Sequence, residues 1–444
     1  MPIKLGLISL GCPKNLVDSE HMLAALHEDG VQIVEDVCDA DVAVINTCGF
    51  IESAKVEAID TILETAQLKQ TGSLKALIVT GCLPQRYQGD FLKELPEVDA
   101  VLGTGSYENI VEAVHAVMDE PDDAYESFAD INASCLDGGR MLLTPQHTAF
   151  LKIAEGCDNR CAYCVIPSLR GRFRSRSMEA LIEEARQLAE SGVKELIVVA
   201  QDITCYGRDL YGKRMLPELL RRLCELDFAW IRLHYLYPDH LNDEMIEVIA
   251  SEPKIVKYLD IPIQHANQRI LRAMHRYGNP EILADLFARL RERIPGVVLR
   301  TSLIVGLPGE TEEEFEELCV FLRKVRLERV GVFEFSPEEG SEAAEMPDQI
   351  DDETKHTRRM IVEELQSEIL DSFGEAMNGA ELDVLCEEWD AETGDYIGRS
   401  YADSPDIDGR VRFAAQHSVE EGEFVRVRIT GWDGADLLGE EITV

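Results

Sequence analysis

The sequence predicts an α/β protein in three folded parts: an N-terminal doubly wound parallel-sheet domain over 1–119, a central partial TIM-like (β/α)6 barrel over 143–373, and a small OB-like β-barrel over 376–444, with a linker at 120–142. Three observations carry this. Short β-rich apolar runs alternate with helical periodicity through the first two parts, the signature of parallel sheets covered by helices. After Gly379 the pattern changes to short strand-like runs punctuated by turns. At 444 residues, the chain is too long for one ordinary core.

In the first part, 3–10 reads as a strand, 17–28 as a helix, 31–34 as a short second strand, 42–46 as a strand, 52–69 as a helix and 76–80 as a strand. Runs this apolar need cover on both faces, which crossover helices supply. The linker is marked by Asp119-Glu120-Pro121-Asp122-Asp123 and by Asp137-Gly138-Gly139. The central part offers six strands, at 149–153, 195–200, 230–235, 258–261, 297–305 and 330–335, with helices such as 178–191 and 280–293 between them. Six βα units predict an incomplete barrel with its site at the C-terminal edge of the strands. A charged amphipathic helix over 351–374 is expected to lead outwards, and runs at 382–385, 411–413, 424–429 and 439–444 predict a five-stranded barrel.

The chain carries 43 Lys+Arg against 84 Asp+Glu, a formal net charge of −41. Nucleic-acid binding draws on basic residues that neutralise phosphates, so this balance argues against a broad RNA-binding face. It favours a basic partner, or solubility in a salt-adapted host. No stretch approaches the ~20 apolar residues of a membrane span, so no membrane partner is expected. Met1-Pro2-Ile3-Lys4 runs directly into the first strand without a signal peptide, and twelve cysteines in such a chain point to a reducing cytoplasm where thiols ligate metals.

Cys157, Cys161 and Cys164 form a C-x3-C-x2-C loop after the first central strand. Fully extended, the loop spans roughly 25 Å, and any turn shrinks it to the size of one small metal centre. Four ligands close a zinc or iron–sulfur site, whereas three leave a position open for chemistry. A structural zinc knuckle is the alternative, but no histidine is near enough in sequence to supply a local fourth ligand. Cys12, Cys48 and Cys82 each sit beside a glycine at a strand end, 36 and 34 positions apart, about one βαβ unit. Such ends share one edge of a parallel sheet, which predicts a second three-cysteine centre, with the glycines letting backbone approach a bulky cofactor. Three unrelated buried thiols are the plainer alternative. Cys38, Cys135, Cys205, Cys224, Cys319 and Cys386 show no ligand spacing and read as structural.

Taken together, the run Glu155-Gly156-Cys157-Asp158-Asn159-Arg160-Cys161-Ala162-Tyr163-Cys164, the strand-end cysteines and the C-terminal barrel resemble the methylthiotransferase family of radical S-adenosylmethionine (SAM) enzymes, whose small barrel is a TRAM domain. Ser9-Leu10-Gly11-Cys12-Pro13-Lys14-Asn15-Leu16-Val17-Asp18-Ser19-Glu20 resembles the branch that modifies an aspartate of small-subunit ribosomal protein twelve. Relatives that modify tRNA usually carry a run beginning Gln-Met-Asn after that cysteine. The resemblance implies two 4Fe-4S clusters on the six cysteines, and SAM as both methyl donor and radical source. It implies hydrogen abstraction from an aspartate β-carbon, sulfur delivered from the N-terminal cluster, and a β-methylthio-aspartate product. An electron donor, a sulfur donor and a basic ribosomal protein are the partners, and the enzyme is expected to be a monomer. A tRNA adenosine methylthiotransferase and a non-catalytic iron–sulfur ribosome-binding protein are the alternatives.

The same resemblance nominates cofactor contacts and no catalytic side chain. Tyr163 stands where the family has an aromatic beside adenine. Gln201 and Asp202 end the second central strand, Gln264 follows the fourth, and Arg300 and Gly306 belong to a strand like the family's glycine-containing SAM-contacting one. Ordinary loop packing and helix capping are the plainer readings. Arg170, Arg172, Arg174 and Arg176 alternate at period two, which would put them on one side of an extended strand. There they would neutralise the clusters and the SAM carboxylate, touch RNA, or pair with surface acids. Residues 376–444 hold five basic against seventeen acidic side chains, so this TRAM domain is expected to repel phosphate and attract a Lys/Arg-rich protein.

Overall fold

The computed structural model describes residues 2–121, 123–133 and 137–442. Cys135, read above as structural, lies outside them. The N-terminal domain is a six-stranded, all-parallel sheet in the order Gln32–Ile33, Lys4–Ser9, Val42–Thr47, Ala76–Gly81, Ala100–Leu102, Tyr125–Ser127. Every residue of Val42–Thr47 and Ala76–Gly81 is buried, because alternate side chains serve two cores. Leu5, Val42, Val44 and Ile78 face helices Pro13–Glu28 and Ile110–Asp119, while Ala43, Ile45, Leu77 and Val79 face helix Glu52–Thr71.

The stretch read as a linker contributes an edge strand, Tyr125–Ser127, to this sheet. Its acidic and glycine-rich flanks mask three residues of pairing, and strands this short leave no periodicity to read.

The central part is an open six-stranded parallel sheet whose neighbours follow chain order: Thr148–Lys152, Glu195–Val199, Trp230–Leu233, Ile255–Asp260, Val298–Val305, Arg329–Glu334. Its helices start on side-chain caps, with Ser177 accepting from the Ala180 N–H and Thr311 and Glu314 forming a reciprocal capping box. Helix Asp352–Met377 does not lead outwards. It buries Val362, Leu365 and Ile369 in the same core, and its Gly374 meets Trp432 so closely that a Cβ there would lie 2.3 Å from the indole. Its apolar stripe needs a partner, and Arg329–Glu334, the last strand of the central sheet, supplies one.

The C-terminal part is a closed barrel of Glu381–Trp389, Tyr396–Arg399, Val411–Ala414, Asp436–Glu441 and Phe424–Asp433. It docks on residues that open the central strands. Glu195, wholly buried, accepts from Arg232 and Arg399 at 2.7 and 2.6 Å, Arg329 pairs with Asp403 at 2.7 Å, and Trp230 meets Phe424 edge-on. The small barrel therefore sits at the end of the sheet opposite the cysteine loops. No helix among the described residues is long and apolar enough to cross a membrane.

Candidate active site

Strand register brings the first three cysteines to one edge. Ser9 is paired with Asn46 and Asn46 with Thr80, and each chain then turns within three residues into Cys12, Cys48 or Cys82. The turns touch. A Cβ on Gly11 would lie 2.6 Å from Cys48 Cβ, one on Gly49 would lie 2.8 Å from Leu83 Cα, and one on Gly81 would lie 2.4 Å from the Thr47 carbonyl oxygen. The glycines thus let the three loops approach one another, not a cofactor as their position in sequence implied. Gly11 and Gly81 also hold φ of 89° and 102°, where a side chain is strained.

The second set is a tight loop held at both ends. The Cys157 N–H donates to the Gly171 carbonyl at 3.1 Å, and Ala162 is clamped between Met274 and Ala343 by backbone bonds of 3.1 and 2.8 Å. Gly156, with φ of 75°, leaves no space for a side chain against the Arg172 carbonyl. Asn159, inside the loop, donates to Asp202 at 3.1 Å, and Cys205 donates to the same carboxylate at 3.2 Å. Asp202 accepts from the Thr204 N–H as a cap, so it braces the loop and does not point at a ligand.

Burial pushes the Cys48 and Cys164 thiols up to about 12, and Cys157 up to about 11. It also raises Cys82, partly opposed by Arg170, whose Nε donates to the sulfur at 3.3 Å. Cys12 is the exception: burial alone would raise it, but Lys14 and Arg170 outweigh that and hold the thiol below its ordinary value. Such sites favour a positive centre that takes the thiolates.

Backbone N–H groups of Asn15, Phe50, Asn159 and Ile166 point at these sulfurs. A tetrahedral zinc would hold its sulfurs about 3.8 Å apart. Among the described residues neither triad has three sulfurs within 4.8 Å of one another, a condition met only by Asp202, Cys205 and His240. Donor type and spacing therefore suit a multi-iron cluster, with one cysteine per iron, better than a single ion.

The two triads share a seam. Cys82 packs with Val165 and Leu169, so it touches the residue that follows Cys164, and Phe50 closes the same apolar contact. Beneath it runs a buried ionic network. Arg170 donates to Asp18 and Glu155 at 3.0 Å, Lys152 bonds Asp18 and Glu155, and Gln201 donates to Glu155 at 3.0 Å. Above it lies a cavity of about 660 Å³, lined from the N-terminal domain by Phe50–Ser53 (50–53) and from the barrel by Tyr163, Gln201, Tyr235, Tyr237, Gln264 and Arg276, among others. Two of these, Tyr235 and Gln264, are non-glycine residues with φ of 65° and 72°. Strain of that kind clusters at ligand sites.

Tyr163, Gln201 and Gln264 therefore line the cavity, whereas Arg300 and Gly306 do not. Arg300 is paired with Asp260 at 2.7 Å and borders a second cavity next to the small barrel. Gly306 is required by Lys355, whose Cγ would lie 2.4 Å from a Cβ there. The arginine run does not form one face. Gly171, at φ of 74°, breaks it, so Arg170 and Arg176 are buried in separate ionic pairs while Arg172 is exposed. Sequence reasoning passed over Arg276, which stacks 4.0 Å over Tyr237 and comes 3.9 Å from Cys161, and over Lys14, 3.8 Å above the Tyr235 ring. Lys14 lay inside a recognised motif, whereas Arg276 follows no pattern.

Comparison with known proteins covers the same three parts. Residues 4–103 match the model described as Uncharacterized protein family UPF0004, 151–322 match the radical SAM superfamily, and 379–442 match the TRAM domain. The ribosomal protein uS12 methylthiotransferase RimO of Lachnoclostridium phytofermentans is 51% identical over 98% of this chain and 99% of its own. That of Desulforamulus reducens is 49% identical over the same shares. Among solved structures, the radical SAM methyltransferase TsrM of Kitasatospora setae superposes with a TM-score of 0.55 at 13% identity, covering 75% of this chain and 73% of that one, a likeness of fold alone.

Proposed function

Because this chain belongs to the RimO family of ribosomal protein uS12 methylthiotransferases, we propose that it adds a methylthio group to the β-carbon of an aspartate of that ribosomal protein. Radical SAM membership brings SAM and one 4Fe-4S cluster. A second cluster, on Cys12, Cys48 and Cys82, is our reading of the first triad, with Cys157, Cys161 and Cys164 holding the SAM-binding one. When bound, these groups would supply a 5′-deoxyadenosyl radical to take hydrogen from the β-carbon and a methylated sulfur to replace it.

The single observation that carries the proposal is that neighbours of both triads, Phe50 two positions after Cys48 and Tyr163 next to Cys164, line one cavity at the seam where Cys82 packs on Val165. Its largely apolar wall, including Phe50, Ile51, Pro262 and Phe335, keeps bulk water from a reactive carbon. Gln201, with a buried carbonyl oxygen that has no partner, and Gln264 offer amides to SAM. Backbone N–H donors and Arg276 hold the second triad's sulfurs in place. The broken arginine run and the acidic TRAM barrel argue against tRNA as the alternative substrate. That barrel sits at the far end of the sheet, so we assign it electrostatic attraction of a basic ribosomal protein in the cytoplasm, not contact with the target aspartate.

The test offers uS12 and tRNA side by side to the reconstituted enzyme with SAM, a reductant and sulfide. A methylthio mass gain on uS12 is expected, and a gain on tRNA alone overturns the proposal. Cys161→Ala should abolish 5′-deoxyadenosine release. Cys48→Ala should keep that release and lose the mass gain on uS12, which assigns separate tasks to the two triads.

A further inference from the structure

Eleven lysines and arginines among the described residues are buried, and nine of them pair with a carboxylate. The two without such a partner are Lys14 and Arg276. A cation in a protein interior is costly without an anion, and among the described residues these two have only the Cys12 and Cys161 sulfurs beside them, which leaves room for a carboxylate from outside the chain. Arg276 lines the cavity at the seam of the two triads, and Lys14 packs on Tyr235, which also lines it. Arg276 lines it on the side of Cys161, stacked on Tyr237. Lys14 stands two residues from Cys12, with its ammonium 3.8 Å over the ring of Tyr235, itself a lining residue held at φ of 65°. Only 8% of Lys14 is exposed.

Resting on the function proposed above, we propose that Lys14 is the positioning residue that holds the target aspartate's own side-chain carboxylate. The β-carbon is bonded directly to that carboxyl group. A carboxylate anchored at Lys14 therefore presents the carbon to the Cys12 side of the cavity, where sulfur must arrive, and leaves its hydrogens facing the Cys161 side. Arg276 is too closely engaged with Tyr237 and Cys161 to serve the same end. Charge complementarity also fixes the choice of side chain: an asparagine is isosteric with aspartate but brings no charge for the ammonium to meet.

The experiment is a double-mutant cycle across the interface. Wild-type, Lys14→Met and Lys14→Arg enzymes, all reconstituted, are titrated with uS12 carrying either the target aspartate or asparagine in its place, and the affinity ratio is read. Wild type should favour the aspartate form by on the order of 10- to 100-fold, the range of a charge-assisted hydrogen bond. Lys14→Met should bring the ratio close to one, and Lys14→Arg should keep most of it, which separates loss of the cation from a folding defect. The reduction potential of the N-terminal cluster is measured in parallel. A shifted potential with an unchanged ratio would mean that Lys14 balances cluster charge and would overturn the anchor, as would equal weakening of both substrates. A wild-type enzyme that leaves uS12 without a methylthio group overturns the functional reading and the anchor together.

Discussion

Arg170 touches more of the site than any other side chain. Its guanidinium meets Cys82 at 3.3 Å, Asp18 and Glu155 at 3.0 Å, and Asn15. Five fixed donors in one plane allow this, and a lysine cannot reproduce them. Removing the cation leaves Asp18 and Glu155 buried with only Lys152 between them. Arg170→Met is therefore expected to lose about 3–5 kcal/mol of stability, the cost of breaking a buried pair. Denaturant titration measures it, and iron analysis should show loss from the N-terminal site first. The sequence disclosed that this arginine belongs to a basic run beside the second triad. It did not disclose that only the first and last members are buried, because a period of two holds only in an extended strand, and Arg170 instead ends a short helix that Gly171 caps at φ of 74°. Nor did it separate Gly306, whose need for a bare Cα comes from Lys355 on a helix 49 positions later, from a glycine that meets a ligand. Contacts between distant segments leave no local pattern.

At the scale of elements, the six cysteines were legible because they obey two local rules: strand ends in a parallel sheet share an edge, and a short C-x3-C-x2-C loop must close on itself. The strands that carry them are short runs with apolar centres, set off by helical segments, so they stood out in the sequence. The edge strand Tyr125–Ser127 and the barrel strand Tyr396–Arg399 were missed because three or four residues with polar neighbours carry no such signal. What the pattern also left out is how closely the cysteine turns pack. Gly81 combines φ of 102° with a neighbour that would lie 2.4 Å from a Cβ. Gly81→Ala is accordingly expected to cost at least about 1–3 kcal/mol and to push Cys82 away from Cys48. Anaerobic reconstitution should give iron at the central site and little at the N-terminal one. Gly72→Ala is the control: Gly72 has a similar φ of 79° at a helix end, but nothing lies within 4 Å of an added Cβ, so iron at both sites should be kept.

Across the whole molecule, chemistry and docking are at opposite ends of the central sheet. The loop of Cys157, Cys161 and Cys164 follows the C-terminal end of its first strand, and the acidic barrel grips the opening residues of its strands through Glu195, Trp230 and Arg329. Glu195 is the hub, accepting from one arginine of each part. Burial alone would raise its carboxyl, but Arg399 and Arg232 override this and hold it down to about 2, against 4.5 for a free glutamate. A depressed carboxyl contributes stability in full above its unfolded value and loses it as pH falls through the folded one. The contribution is therefore constant from neutrality to about pH 5, declines below that, and is gone near pH 2. Its ceiling is about 3 kcal/mol for a displacement of this size. All three tryptophans lie in or against the small barrel, with Trp230 on Phe424 and Trp432 on Gly374, so fluorescence follows its docking. Urea titrations of wild type and Glu195→Gln between pH 7 and 3 should give a stability gap that is flat down to about pH 5 and narrows below it. A gap that stays flat to pH 3, or widens, would place the attachment of the barrel in its apolar contacts and not in the buried glutamate.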